Sequence, residues 1–261
     1  MNKFYNKSEL GFAIFWIVLY ILFASIADGV SATIGVEKSV TSIVLIAMSV
    51  VILLWIIRNK HCNKYGLCLP KYAHKYYLYY IPLIVMISIN LWFGVKLNYT
   101  IIESVLYIIS MLCVGFLEEI IFRGLLFKAM EKDSLLPAII VSSVTFGIGH
   151  IINLFTGGGE SVIASICQVF YAMAAGFLFV IIFYRGGSLI PCIITHSLFN
   201  SLSCFMNYSE VTPLIDIIIS IILIVLNVGY ALLLLKLLPK DNSEQLNERV
   251  MNDGNEIKSQ K

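Results

Sequence analysis

The sequence predicts an all-α, polytopic membrane protein with about eight transmembrane helices and both termini cytoplasmic. Three observations carry this. Charged residues make up 13% of the 261-residue chain and hydrophobic residues 59%, with a mean hydropathy of +0.88, whereas soluble domains average about 25% charged. The apolar residues gather into segments near the roughly 20 residues needed to cross a bilayer core. The basic residues between those segments alternate strongly from loop to loop.

The segments run approximately 11–28, 40–57, 78–95, 102–127, 136–153, 162–184, 188–206 and 214–238. The first follows Lys3 and Lys7 and ends near Ser25-Ile-Ala27, which mimics a secretory leader. Its apolar run is longer than the roughly 7–15 residues of a leader, so it reads as an uncleaved anchor. After the second comes a basic stretch from Arg58 to Lys75 holding His61, Cys62, Cys68 and His74. That spacing fits no familiar zinc pattern and reads as an ordinary basic loop. Tyr76, Tyr77, Tyr79 and Tyr80 open the third segment as an interfacial aromatic belt should.

The loop charges fix the expected orientation. With the N-terminus inside, the inner loops hold Lys3, Lys7, Arg58, Lys60, Lys64, Lys71, Lys75, Lys128, Lys132 and Arg185, followed by the basic residues from Lys236 onward. The outer loops hold only Lys38 and Lys96. Such a bias is what the positive-inside rule produces with an even number of spans. Residues 1–239 read as one integral membrane domain with no internal repeat. Residues 240–261 are polar and free of aromatics, which predicts a disordered cytoplasmic tail. No basic stripe lies outside the membrane-flanking loops, so nucleic acid is not expected as a partner. Cys113, Cys167, Cys192 and Cys204 lie in apolar segments and should behave as small buried hydrophobes, and the six cysteines form no disulfide framework.

The fourth segment carries the first sign of chemistry. Glu118, Glu119 and Arg123 lie inside it, and each charge at mid-membrane is disfavoured by roughly 2.5–3.5 kcal/mol on insertion scales. Glu119 and Arg123 are four apart and share a helical face, so they can pair. Glu118 is rotated by about 100° and lacks that partner. A structural Glu–Arg clamp accounts for Glu119 and Arg123 but not for Glu118, whose unpaired carboxyl is a candidate for proton exchange.

Two later segments add one histidine each. Phe146-Gly-Ile-Gly-His150 places Phe146 and His150 on one face, with Asn153 a turn further, and Gly147 and Gly149 permit close approach of a neighbouring helix. His196-Ser-Leu-Phe-Asn200 sets two polar side chains at i and i+4, continued by Ser203. Counted at 1.5 Å per residue, Glu118, His150 and His196 lie roughly 15, 20 and 12 Å from the inner ends of their helices. Groups on three helices thus arrive at similar depth. A His-Glu-x-x-His motif is missing, Ser188 is not in a Gly-x-Ser-x-Gly elbow, and Gly157-Gly-Gly159 has no phosphate-binding context.

In these residues the sequence resembles the CPBP family of CAAX proteases and bacteriocin-processing enzymes. The family pattern is Glu-Glu-x-x-x-Arg, then Phe-x-x-x-His, then His-x-x-x-Asn or Asp. Here it reads Glu118-Glu119…Arg123, Phe146…His150 and His196…Asn200, in order, within a motif-bearing core of residues 102–206. The resemblance implies an intramembrane endopeptidase acting on membrane-associated peptides or proteins: prenylated C-termini, peptide precursors or bacteriocin-related substrates. Under it, Glu118 is the general base, His150 positions the water, and His196 and Asn200 donate to the oxyanion. Glu119 with Arg123 orients the site. The family is often described as metalloproteases, which implies zinc held by Glu118, His150 and His196, a set of two histidines and a carboxylate suited to it. A metal-free glutamate mechanism uses the same residues. The expected location is the cell membrane, with the site facing the cytoplasm. The alternative class is a non-catalytic immunity protein or a proton-coupled transporter using the same polar cluster; no repeated pair of broken helices supports a transporter.

Overall fold

A computed structural model describes residues 1–152 and 162–239. Among these residues the structure is helical, with one isolated bridge between Val95 and Met206. The elements are α1 (Asn2–Lys7), α2 (Glu9–Ile34), α3 (Ser39–Arg58), α4 (Ile81–Ser88), α5 (Ile101–Glu118), α6 (Lys128–Glu131), α7 (Leu135–Gly149), α8 (Val162–Gly186), α9 (Ile190–Leu202) and α10 (Pro213–Leu237). A π-helical stretch, Glu119–Phe127, joins α5 to α6 without a break. Asn153, Gly157-Gly-Gly159 and the expected tail beyond Pro239 lie outside the described residues.

Helix ends are set by local chemistry. Ser8 caps α2 by accepting from the Gly11 amide, and Gly35 closes it at φ 78° in the left-handed region. Thr100 and Glu103 form a reciprocal capping box at the start of α5. Thr212 caps α10, with Pro213 in the first turn.

The helices expose apolar side chains on their outer faces and bury, within a largely apolar core, a number of polar and charged ones. On α2, Ile14, Val18, Leu22 and Ile26 are exposed at intervals of four, while Trp16, Tyr20 and Ser31 face inward. Glu119, Arg123 and Asn227 are fully buried. Apolar outer faces around buried charges are the signature of a bundle solvated by lipid. Six helical stretches are long and apolar enough to cross a membrane: 9–34, 39–58, 101–131, 135–152, 162–186 and 213–237. The protein is thus an integral, multi-pass membrane protein. α8 is its central helix, with 56% of its apolar window buried against 28–39% in the other five.

The third and seventh expected spans differ from the prediction. The seventh is a shorter helix, Ile190–Phe205. The third is broken: Leu78, Tyr79 and Tyr80 have φ of 48–60°, a conformation no right-handed helix can contain. Only α4 and a 3₁₀ turn, Ile89–Leu91, follow. Tyr77, expected in an interfacial belt, is fully buried instead. Its ring stacks on Tyr80 at 4.9 Å, and its carbonyl accepts from Tyr230 Oη at 2.7 Å. α4 packs against α9, and Asn90 Nδ2 donates to the Phe199 carbonyl at 2.6 Å.

The loops sort into two sets in the pattern their charges suggested. Glu9 pairs with both Lys64 and Lys132, Ser188 Oγ donates to the Cys68 carbonyl, and Tyr72 Oη reaches Pro239. At the opposite ends of the helices, Asp28 pairs with Lys38, Glu103 accepts from the Glu37 amide, and Asn98 Nδ2 donates to the Cys204 and Met206 carbonyls. His61, Cys68 and His74 have separate neighbours: Tyr5 and Trp55, the Gly187 carbonyl, and Tyr80. They form no common site. The cysteines are free thiols, of which Cys192 and Cys204 are buried and Cys113 and Cys167 only half-buried.

Candidate active site

The centre of the bundle is built on the transition from α5 to the π-helical stretch. A π-helix bonds i to i+5 and is found mostly as short insertions at functional sites. This one is nine residues long and buried throughout, so its loosened backbone is held by neighbours. Ser142 Oγ of α7 donates to the Phe122 carbonyl at 2.9 Å. The stretch begins at Glu119, within the paired carboxylates.

Glu119 and Arg123 form the expected pair, with Arg123 Nη1 3.2 Å from Glu119 Oε1 and both side chains fully buried. The contact lacks hydrogen-bond alignment. The guanidinium is also held by aromatic faces, lying 4.0 Å from the Phe146 ring and 5.6 Å from that of Phe179. A desolvated cation over a ring is stabilised by about 2 kcal/mol. Gly176 leaves room for it, since a Cβ there would stand 3.3 Å from Arg123 Nη2 and 3.1 Å from Ser143 Cα.

His196 binds the same carboxylate. Its Nδ1 is 2.9 Å from Glu119 Oε1, and its Nε2 lies 3.5 Å from Glu118 Oε2. The imidazole is thus suspended between the two carboxylates, a position from which a ring can relay a proton or hold a fixed orientation. This differs from the expected free donor, because Glu119 takes up one of the two ring nitrogens. A close approach of α5 and α9 makes the contact: a Cβ on Gly115 would stand 2.3 Å from Ser197 Oγ and 2.6 Å from Ser197 N. α7 and α8 meet in the same way at Gly147, where a Cβ would stand 2.2 Å from Met173 Cγ. Gly149, expected to serve likewise, has nothing within 4 Å of such a Cβ.

Glu118 is not the lone carboxyl that its rotation implied. Tyr20 of α2 donates to Glu118 Oε1 at 2.6 Å. Nothing in the sequence around Tyr20 marks it; only the packing of α2 on the π-helical stretch brings it there.

His150 joins the group through Phe146. Its ring meets Phe146 edge-on at 5.1 Å, and Phe146 meets His196 at 5.6 Å. His150 Nδ1 lies 3.1 Å from the Phe146 carbonyl. His150, His196 and Asn200 line one cleft between α4, α7, α8, α9 and α10, together with Phe146, Phe179 and Asn227. It has about 40 Å³ of space open to water, against roughly 10–15 Å³ for one molecule. Glu118 is not among the lining residues and adjoins the cleft through His196. Ser203 turns back onto its own helix, donating to the Asn200 carbonyl at 2.6 Å. Ser188 also has a local partner, accepting from the Ile190 amide at the start of α9.

Glu118, His150 and His196 also face a test as metal ligands. Both histidines have Nδ1 beside an oxygen acceptor, which leaves each Nε2 as the ligating nitrogen, as in many zinc sites. The spacing does not complete the match. Among the described residues no three His, Cys, Asp or Glu side chains are gathered closely enough to hold a metal ion. The donors suit a metal; their arrangement here does not.

A multi-pass helical protein with paired carboxylates, two histidines and a buried arginine around a water-sized cleft has the equipment of an intramembrane hydrolase. Residues 100–202 match the family described as Rce1-like, type II CAAX prenyl endopeptidase Rce1-like, so this segment is similar to a family of CAAX-type peptide hydrolases. The matched segment runs from the cap of α5 to the end of α9 and contains all three motifs. No curated protein and no solved structure matches the chain.

Proposed function

We propose that the protein hydrolyses a peptide bond of a membrane-associated peptide or protein, with Glu118 as general base on a water drawn to the His196 side of the cleft, where Glu118 adjoins it. The observation that carries this is the suspension of His196 between Glu118 and Glu119, at the wall of a cleft wide enough for water.

Glu118 takes a proton from water as the water oxygen bonds to the scissile carbonyl carbon. The carbonyl π electrons move to oxygen, and His150, which lines the cleft with Nδ1 held at the Phe146 carbonyl, orients the attacking water. Asn200 and His196 line the same wall and stabilise the oxyanion. The tetrahedral species then collapses. The C–N bond breaks, and the proton held by Glu118 passes to the leaving amine, so the carboxylate is regenerated. Tyr20 fixes one oxygen of Glu118, leaving Oε2 on the His196 side. Glu119 and Arg123 hold the imidazole in orientation.

A zinc-assisted form, with Glu118, His150 and His196 as ligands, is the second reading; the Nε2 atoms of the two histidines favour it, while the separation of the three side chains here does not. In either form the proposed substrate is a peptide ending in a prenylated Cys-aliphatic-aliphatic-X sequence, and the proposed site lies in the cell membrane with the cleft facing the cytoplasm.

The test is cleavage of such a peptide by the purified protein in lipid, followed by mass spectrometry. The unsubstituted protein should release a C-terminal fragment and the Glu118→Gln protein should not. Equal release by both would remove Glu118 from the reaction.

A further inference from the structure

α10 carries no motif, yet it supplies one polar side chain to the cleft. Asn227 is fully buried, and its Nδ2 donates to the Leu223 carbonyl one turn earlier at 2.8 Å. A carbonyl can only accept, so the atom facing Leu223 must be the amide nitrogen. The orientation of the amide is therefore fixed and Oδ1 points away from its own helix. Oδ1 has no hydrogen-bond partner among the described residues, and the residue lines the cleft beside His196 and Asn200.

A buried amide oxygen with no donor is disfavoured, and lipid offers none. Water in the cleft can supply one when the site is empty, and a ligand that displaces this water must replace the hydrogen bond. The walls around Asn227 are largely apolar, with Met86, Leu223, Ala172, Ala175 and Phe199 among them. They suit apolar side chains, and the donor that such a ligand still carries is its backbone N–H. We propose that Asn227 Oδ1 accepts a hydrogen bond from one backbone N–H of the peptide substrate, so that α10 supplies a substrate-positioning residue to a site whose motifs all lie on α5–α9. The proposal rests on the peptidase reading above.

The test uses the full chain in lipid and a quenched fluorescent peptide ending in a prenylated Cys-aliphatic-aliphatic-X sequence. Asn227→Leu keeps the volume and removes the acceptor; Asn227→Ala is the second variant should the first melt early. KM should rise about tenfold with kcat nearly unchanged, as for one lost hydrogen bond. A set of peptides N-methylated at one backbone nitrogen each then locates the donor. One of them should lose about tenfold in kcat/KM with the unsubstituted protein and nothing further with Asn227→Leu. An unchanged KM in both variants, or an equal N-methyl penalty in their presence, overturns the proposal while the peptidase reading stands. If the unsubstituted protein cleaves nothing, photocrosslinking of the same peptides to the Glu118→Gln protein separates the two ideas. Crosslinking that falls about tenfold on adding Asn227→Leu keeps Asn227 as a peptide-binding residue without hydrolysis. Crosslinking that does not fall, or does not occur, overturns it.

Discussion

Tyr20 donates to Glu118 across 2.6 Å, joining residues 98 positions apart in the chain. The contact turns an isolated carboxylate into an oriented one, with Oε1 occupied and Oε2 directed toward His196. Tyr20→Phe keeps the ring and removes this hydrogen bond. A bond to an ionised group contributes about 1.5–3 kcal/mol to stability, so Tm should fall by several degrees, and with Glu118 left unoriented kcat should fall roughly 10-fold or more. Turnover that stays within twofold would show that Glu118 needs no such anchor.

Glu118→Ala and His150→Ala should each abolish cleavage while leaving insertion and folding intact, because neither side chain is one half of the buried clamp. Arg123→Ala should differ. It leaves Glu119 buried without its guanidinium, and breaking a buried pair costs about 3–5 kcal/mol. Both yield in the membrane and activity should drop. Arg123→Lys should recover little, since a lysine lacks the flat guanidinium that lies over Phe146. Melting curves and turnover of the purified variants read these effects separately.

Metal dependence separates the two readings of the mechanism. If Glu118 acts on water directly, protein stripped by a chelator should keep full turnover, and elemental analysis should find less than one zinc per chain. If zinc is required, stripping should abolish turnover and stoichiometric zinc should restore it.

The contact of α5 with α9 makes a prediction about packing. In Gly115→Ala the new Cβ would meet Ser197 N and Cα at 2.6 and 2.8 Å, atoms that cannot turn aside. Overpacking of this kind costs about 1–3 kcal/mol and pushes His196 away from Glu119. Lower Tm and lost turnover should therefore appear together. Gly149→Ala, whose Cβ meets nothing within 4 Å, should not lower Tm.

Orientation can be read by cysteine labelling in a background without native cysteines. Ser188 and Phe127, at the inner ends of their segments, are buried and would report poorly. Lys75 and Asp133 are exposed at one end of the bundle, and Lys96 and Ser209 at the other. Cysteines at the first two should react from the cytoplasmic side and at the last two from outside. The reverse pattern would overturn the orientation expected from the loop charges.

Much of this architecture was legible in the sequence, and the parts that were not share a physical cause. Hydropathy sums over neighbouring residues, so composition and length mark apolar helices without any knowledge of their partners. The Glu119–Arg123 pair was legible because both residues lie four apart on one helix, and even a π-helical backbone keeps them close. Loop charge likewise sorted the connections into two sets, which the contacts of Glu9 with Lys64 and Lys132 respect.

The sequence by itself thus determined a lipid-solvated helical bundle, the motif residues Glu118, Glu119, Arg123, His150, His196 and Asn200, and the internal clamp. Only the tertiary structure decided that Glu118 is held by Tyr20, that His196 sits between two carboxylates, and that the third segment breaks at Leu78–Tyr80. It also decided that Asn227 reaches the cleft. These depend on how close helices come, which is set by the missing Cβ at Gly115, Gly147 and Gly176, and on backbone irregularities such as the π-helical stretch. Periodicity along one chain segment describes which face a residue is on; it carries no term for what another helix brings to that face.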